Sequence, residues 1–184
     1  MTHSARLRDR LRGLPLLPPP SPWKTLGNHA VGGLTEVGFA DGTDLLLVIS
    51  WNGRGVFDCQ TGTRIARDYH EMDESWYNPV QLSALGIGPL AGVTIRLAGL
   101  HGGGLPVVTA DGWSVEVAYP DWPDGVVILE PPGTSVYIED RAIGCVKVAD
   151  IESARGYGFS GTGRTLVVSE SHTLQIFTRS MGAE

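Results

Sequence analysis

An acidic stretch near the middle of the chain holds residue types that often bind cations. Residues 67–81 read RDYHEMDESWYNPVQ, in which four carboxylates crowd around His70. They are those of Asp68, Glu71, Asp73 and Glu74. Carboxylate oxygens are the ligands that hard cations such as Ca²⁺ prefer. The spacing lacks the calcium-loop pattern and its glycine, so it favours a solvated acidic loop. The sequence therefore predicts no metal ion and no cofactor.

A second motif, His101-Gly102-Gly103-Gly104, has the sequence of the oxyanion loop of some lipases and esterases. That loop acts opposite a serine on a strand-turn-helix elbow with the pattern G-x-S-x-G, which does not occur in this chain. Ser160 in GFSGTG comes nearest, but its second glycine is misplaced and a strand pattern follows. We therefore interpret the motif as a glycine-rich turn with close backbone approach, and no catalytic residue is assigned.

Aromatic residues in two acidic, proline-containing loops predict a binding surface. Trp76 and Tyr77 lie in the acidic stretch, and Trp122 lies in AYPDWPDG. Aromatic side chains beside carboxylates are typical of protein-binding rims and of sugar-binding platforms. They are equally typical of lids over the ends of a β core, so both interpretations stay open. The predicted binding residues are Trp76, Tyr77, Trp122, His70, His101, Asp73 and Glu74.

The charge of the chain favours some partners over others. The formal net charge of the 184 residues is −6, and residues 1–24 carry +4 of it, which leaves −10 for the remainder. An acidic body repels phosphate backbones, so we expect no nucleic-acid partner and favour a basic protein partner.

Cysteine usage and hydropathy bear on the compartment. Cys59 and Cys145 have no CxxC neighbour, and no secretory apolar region precedes them, which indicates a reducing cytoplasm. No apolar run approaches 18 residues, so the sequence predicts no transmembrane helix.

The N-terminal region differs in composition from the rest. Residues 2–13 predict a short helix whose apolar stripe contains only Leu7 and Leu11. The following LPLLPPPSP tract, residues 14–22, predicts an extended connector. Because the helix is short and the connector stiff, we expect residues 1–22 to contribute little to the core.

The remainder alternates with period two and is rich in glycine turns. We therefore predict two parts, with a helix and Pro-rich connector over 1–26 and a single all-β domain over 27–184.

Two stretches of the β region repeat each other. Residues 37–62, VGFADGTDLLLVISWNGRGVFDCQTG, read as an Asp-Gly turn, an apolar strand, and a hairpin turn at Asn52-Gly53 with positive φ at both residues. Residues 157–182 read YGFSGTGRTLVVSESHTLQIFTRSMG. The identical positions, always 120 residues apart, are Gly38/Gly158, Phe39/Phe159, Leu46/Leu166, Val48/Val168, Phe57/Phe177 and Gly62/Gly182. We expect the apolar pairs to be buried in equivalent environments.

Both stretches resemble the core of a WD-type β-propeller repeat. The pattern, complete in the first stretch, is aromatic-small-Asp-Gly, an apolar strand, Ser, a turn, apolar-aromatic-Asp and Thr-Gly. The second stretch has no Asp after its Phe177, and Met stands in place of the Thr of Thr-Gly. An offset of 120 is three periods of 40, close to the blade length of roughly 40–45 residues. Turns near Gly92 and Gly133, the latter joining VVILE to SVYIE, fit this period, whereas Asn52-Gly53 and Asp111-Gly112 fit units of about 60 residues.

The resemblance implies a small or incomplete β-propeller-like arrangement of antiparallel hairpins, with a twisted β-sandwich as the alternative. It also implies a family whose members mostly bind proteins. The first functional hypothesis is a non-enzymatic cytoplasmic interaction module of bacterial type, with an acidic surface, that inhibits or scaffolds one partner. The alternative is a β domain that binds or processes a small molecule or carbohydrate through Trp76, Trp122 and His101 together with the carboxylates. For assembly, we expect a closed monomer or a homodimer joined through an exposed edge near residues 165–178.

Overall fold

The computed structural model describes residues 3–180, which form an all-β fold with one α-helix. The helix α1 spans His3–Gly13, as the sequence predicts. The strands are β1 (Trp23–Ala30), β2 (Leu34–Phe39), β3 (Leu45–Ser50), β4 (Gly53–Asp58), β5 (Thr63–Asp68), β6 (Tyr77–Asn78), β7 (Ser83–Leu85), β8 (Thr94–Arg96), β9 (Ala98–Gly99), β10 (Ser114–Asp121), β11 (Asp124–Glu130), β12 (Val146–Ile151), β13 (Ala154–Phe159), β14 (Thr165–Glu170) and β15 (Thr173–Arg179). No helix within residues 3–180 is both long and apolar enough to cross a membrane.

The chain divides into two compact units. The smaller unit contains the chain up to Lys24 and residues 107–153, and the larger unit contains residues 25–106 and the chain from Ala154. The domain boundary predicted after residue 26 stays a prediction.

The smaller unit is a three-stranded antiparallel sheet, β10-β11-β12, together with α1. Leu11 of the helix is only 6% exposed and packs in one cluster with Ile128 and Val136. Leu7 and Leu14 pack against the same cluster. The expectation that residues 1–22 contribute little to the core is therefore wrong, because the narrow apolar stripe of α1 is docked.

The Pro-rich connector is also attached to this unit. The backbone N–H of Leu17 donates to the carbonyl oxygen of Lys147 on β12 at 3.0 Å, and Leu16 forms an isolated parallel bridge to the same residue. The connector contains no helix, as predicted, and Leu16 lies in the β-bridge, whereas residues 21–22 form a turn.

One predicted strand of this unit does not form. The residues after Pro132-Gly133, read as the strand SVYIE, form loops and a short 3-10 turn at Glu139–Arg141. The buried carboxylate of Glu130 accepts hydrogen bonds from the N–H of Val136 at 2.6 Å and from the hydroxyl of Ser114 at 2.9 Å. The Glu130 side chain thus accepts a hydrogen bond from a backbone N–H that, in a β-sheet, would donate to a neighbouring strand.

The larger unit contains three sheets. Sheet I has the order β1-β15-β14-β13, sheet II the order β5-β4-β3-β2-β9, and sheet III the order β6-β7-β8. In sheet I, β15 lies between β14 and β1, so the N-terminal strand covers the edge that the homodimer prediction needed. The prediction of an open edge near residues 165–178 is therefore wrong.

The two repeats have the same strand pairing. In sheet II, Phe39 pairs with Leu46, and in sheet I, Phe159 pairs with Leu166. The pairing of β2 with β3 shifts by one residue between Leu34 and Glu36, and that of β13 with β14 shifts at the equivalent place, between Ala154 and Gly156. The residues predicted to be buried are all buried: Phe39, Leu46, Val48, Phe57, Phe159, Leu166, Val168 and Phe177. The match of Gly62 to Gly182 lies partly outside the described residues.

The repeated glycines are explained by close backbone contacts. A Cβ atom on Gly38 would collide with the carbonyl oxygen of Arg96, and one on Gly158 would collide with that of Pro106. Both positions therefore exclude a side chain.

The hairpin turn of the first repeat differs from its prediction. Ser50 pairs with Gly53, so Trp51 and Asn52 form the turn. Gly53 has φ of 97°, whereas Asn52 is not among the described residues with positive φ. The predicted turn type, with positive φ at both Asn52 and Gly53, is therefore wrong.

The sheets of the larger unit stack face to face. Phe39, Leu46 and Phe57 of sheet II pack in one core with Leu174 and Ile176 of sheet I. The opposite face of sheet II, with Leu47, Ile49 and Val56, packs against sheet III. Ile176 of sheet I corresponds to Val56 of sheet II in the repeat, and Val56 lies on the face of sheet II opposite to Phe57. We call the face of sheet II that contains Phe57 its front, and we name the equivalent face of sheet I likewise. The front of sheet II therefore packs against the back of sheet I.

A buried carboxylate joins the two repeats. Asp44 precedes β3, is 5% exposed, and accepts hydrogen bonds from the hydroxyls of Ser160 at 2.7 Å, Thr162 at 2.6 Å and Thr165 at 2.9 Å. The guanidinium of Arg164, the repeat counterpart of Asp44, donates to its other oxygen at 2.6 and 3.1 Å. Burial alone would raise the pKa of Asp44, but these hydrogen bonds hold it below its usual value.

Candidate functional site

The predicted binding residues are divided between the two units. Trp122 lies in the smaller unit, and Trp76, Tyr77, His70, His101, Asp73 and Glu74 lie in the larger one. Trp76 and Tyr77 are buried in the core between sheets II and III, where they pack with Ile95 and Leu97. They are therefore core residues, and their rings form no exposed rim.

The surroundings of Trp76 explain its burial. Its indole N–H donates to the carbonyl oxygen of Glu71 at 3.1 Å, which satisfies its only polar atom. The guanidinium carbon of Arg54 lies 4.3 Å from the centre of the indole ring, and Arg54 also pairs with Asp68 at 3.1 Å. The loop thus buries the adjacent side chains of Trp76 and Tyr77 and leaves those of Asp73 and Glu74 exposed.

Two carboxylates of the acidic loop, those of Asp68 and Asp73, accept hydrogen bonds from within the loop. The Asp68 carboxylate accepts from the backbone N–H of His70 at 3.0 Å and contacts the His70 imidazole. These bonds lower the pKa of Asp68 to about 2. Hydrogen bonds from Ser75 likewise lower the pKa of Asp73, whose side chain is exposed like that of Glu74. Within residues 3–180, no group of three His, Cys, Asp or Glu side chains is placed to hold a metal ion.

Tyr77 and His101 meet at a residue that the sequence analysis missed. Glu36 on β2 is 1% exposed, and its carboxylate accepts from the Tyr77 hydroxyl at 3.0 Å and the Thr35 hydroxyl at 2.8 Å. The Nδ1 atom of His101 contacts the same carboxylate oxygen as Tyr77. Burial, with the charge and hydrogen bonding of Glu36, raises the pKa of Tyr77 to about 12, so the phenol stays protonated and donates.

This network orients an imidazole at the protein surface. The side chain of His101 is 40% exposed, and a buried carboxylate that fixes the Nδ1 of a histidine is the orienting half of a nucleophile-activating pair. Within the described chain, however, the side-chain hydrogen bonds of His101 go only to Tyr77 and Glu36, and none goes to a serine or cysteine. The arrangement ties the glycine-rich turn to β2.

A signal for Glu36 was present in the sequence. The strand LTEVGF contains one charged residue among apolar ones, and all six of its residues are buried. A carboxylate in such a strand needs donors, because an unpaired buried charge is strongly unfavourable. The donors come from residues far along the chain, which the sequence pattern does not identify.

Trp122 is the one predicted aromatic residue that is fully presented to solvent. It is 82% exposed at the tip of the β10–β11 hairpin, and its ring centre lies 5.4 Å from that of Tyr119. Asp121 and Asp124 flank it in the chain, and Asp121 is bound by Arg12 of α1. The hairpin tip therefore combines an exposed aromatic surface with carboxylates.

Comparison with known proteins leaves these residues as the basis for any functional argument. No protein-family model matches the chain, and no curated protein matches it significantly.

Proposed function

We propose that the protein is a non-enzymatic interaction module that binds one basic protein partner and inhibits or scaffolds it. The observation that carries the proposal is the exposure of Trp122 at the tip of an acidic hairpin. Exposed tryptophans are favoured anchors of protein interfaces, since they bury a large area with little loss of conformational freedom.

The charge around the hairpin supports a basic partner. Residues 107–153 of the smaller unit carry nine carboxylates against two basic side chains. Asp124 lies next to the turn, while Asp121 is held by Arg12. Complementary charge raises the association rate of such a partner and fixes its orientation.

The WD-type resemblance supports the same class of function. In the larger unit, sheets I and II have equal register and stack front to back, and stacked four-stranded antiparallel sheets are the building unit of a propeller. We propose that the sheets of this unit are consecutive blades of a small or incomplete propeller-like arrangement. A cytoplasmic location and a bacterial origin belong to the same proposal, and the free thiols of Cys59 and Cys145 agree with a reducing compartment.

One argument for the alternative function, binding of a small molecule or carbohydrate, does not hold. A carbohydrate platform at Trp76 requires an exposed ring, and that ring is buried. Trp122 and His101 stay available to solvent, but they belong to separate units.

A capture experiment with matched variants tests the proposal. The purified protein, immobilised, is incubated with extract of the source cell, and bound proteins are identified by mass spectrometry. We expect a basic partner to be retained by the wild type, to be lost from Trp122→Ser, and to elute as salt is raised. The control is Trp51→Ser, because Trp51 is also exposed but lies in the β3–β4 turn of the larger unit. Equal capture by Trp122→Ser and the wild type would contradict the proposal.

A further inference from the structure

A cavity of about 140 Å³ opens on sheet II, between strands β3–β5 and the residues that follow β1. Its lining includes Ser50, Asn52, Gly55, Phe57, Arg64 and Arg67. The cavity is thus lined by two arginines, although the net charge of the chain is −6.

A β-bulge places both arginines on the same face. Residues three apart in a regular strand point to opposite faces. In the pairing of β4 with β5, however, Phe57 faces Arg64 and Gly55 faces Arg67, so Ile65 is an inserted residue. The bulge thereby turns Arg64 to the side on which Arg67 already lies.

Gly55 leaves room between the two arginine side chains. A Cβ atom at this position would lie 3.5 Å from the Cδ of Arg64 and 3.8 Å from the Cδ of Arg67. The space above the glycine is therefore bordered by both arginines.

The cationic groups of the cavity have no carboxylate partner. Within residues 3–180, the Arg64 side chain makes no hydrogen bond or ion pair, and the Arg67 side chain donates only to the carbonyl oxygen of Asn52, at 2.7 Å. The Arg67 guanidinium also lies 4.7 Å from the ring centre of Tyr69. Planar guanidinium groups bind carboxylate and phosphate oxygens through paired hydrogen bonds, so these two are available for an anion.

A further polar group lies close by. The ring of His29 packs on Phe57 with centroids 5.0 Å apart, and its buried Nε2 has no hydrogen-bond partner among the described residues. Burial, and then the charge of Arg64, lower the pKa of His29, so the imidazole is neutral near pH 7.

The repeat shows that the fold does not require this cavity. Gln175 occupies the position in sheet I that corresponds to Gly55. The place of β5 is taken there by β1, which contains no arginine. The combination of a glycine and two arginines is thus particular to sheet II.

We propose that this cavity binds the carboxylate or phosphate group of a small molecule, held between the guanidinium groups of Arg64 and Arg67. The site is independent of the Trp122 hairpin, and it takes a ligand of opposite charge to the proposed partner. It gives the protein a small-molecule function through residues other than those predicted from the sequence.

Titration with simple anions tests the proposal. Inorganic phosphate and succinate are each added to the full chain at constant ionic strength, and binding is followed by backbone amide NMR. We expect saturable shifts at Asn52, Gly55 and Arg67 with a Kd of roughly millimolar. Response to only one of the two probes identifies the group that the site takes.

The variants separate binding from folding. Arg64→Ala removes no side-chain hydrogen bond or ion pair within the described chain, so we expect the fold to persist and the affinity to fall about tenfold, or ~1.4 kcal/mol. Gly55→Ala narrows the site without a backbone collision and should also weaken binding, whereas Arg141→Ala in the smaller unit should bind as the wild type does. The proposal is overturned if neither anion shifts these amides, or if Arg64→Ala and Arg141→Ala bind equally well.

Discussion

The carboxylate of Asp44 should contribute several kcal/mol to the stability of the larger unit, on the order of 3–5 kcal/mol. It lies in the first repeat and receives all its side-chain hydrogen bonds from the second, through Ser160, Thr162, Arg164 and Thr165. Replacing it with alanine leaves buried hydroxyls and a guanidinium without their acceptor. We therefore expect Asp44→Ala to show how much these hydrogen bonds between the two repeats contribute to the free energy of unfolding.

The burial of Asp44 and of Arg164 sets the expected loss of stability for each variant. Removing one member of a buried, hydrogen-bonded ionic group costs about 3–5 kcal/mol, and Asp44 is 5% exposed. Arg164 is 43% exposed, so Arg164→Ala should cost only about 1 kcal/mol, because the hydroxyls still satisfy the carboxylate. If the group acts as a unit, the double variant should cost little more than Asp44→Ala alone.

Urea denaturation, followed by circular dichroism and tryptophan fluorescence, measures these differences. The pKa of Asp44 is lowered in the folded protein, so its contribution is complete above the unfolded pKa of about 3.9 and is lost as pH falls through the folded value. The difference in free energy of unfolding between the wild type and Asp44→Asn should therefore be largest near pH 7 and should decrease in acid. A cost for Asp44→Ala no larger than that for Arg164→Ala would refute this reasoning.

Two further predictions concern apolar packing, and urea denaturation checks both. Phe57→Ala and Phe177→Ala should each cost roughly 3–5 kcal/mol, because both rings are buried at equivalent positions of the repeat; a cost below about 1 kcal/mol for either would contradict that equivalence. Leu11→Ala should cost about 2–5 kcal/mol, since the side chain is docked in the core of the smaller unit. Its control is Leu17→Ala, an exposed connector position expected to change stability by less than about 0.5 kcal/mol, and equal effects would mean that α1 is not docked.

The repeat could be predicted because each copy is a continuous stretch of sequence. The strand pattern around Leu46 and Val48, with its glycine turns, recurs at Leu166 and Val168, and burial of one predicts burial of the other. The helix over 2–13 was predicted for the same reason, since capping and periodicity act within a few residues.

The contacts of the candidate sites could not be predicted in this way. Glu36 meets Tyr77 and His101 across 41 and 65 positions of sequence, and no local pattern encodes such distances. The polar neighbours of Trp76 left open whether its ring forms an exposed rim or a lid over the core, and the structure buries it. The two arginines of the cavity share a face only because of a bulge, and alternation in the sequence predicts the opposite.

The edge of sheet I shows why strand pairing is harder to predict than strand formation. The sequence of β1, WKTLGNHA, has no clean alternation, and its residues are mostly exposed or half-buried, so no apolar face identifies its place. Its position is fixed by pairing with β15 from the other end of the chain. That pairing occupies backbone groups of β15 that would otherwise be open to a second chain. A homodimer of this protein would therefore have to use a surface other than the β15 edge.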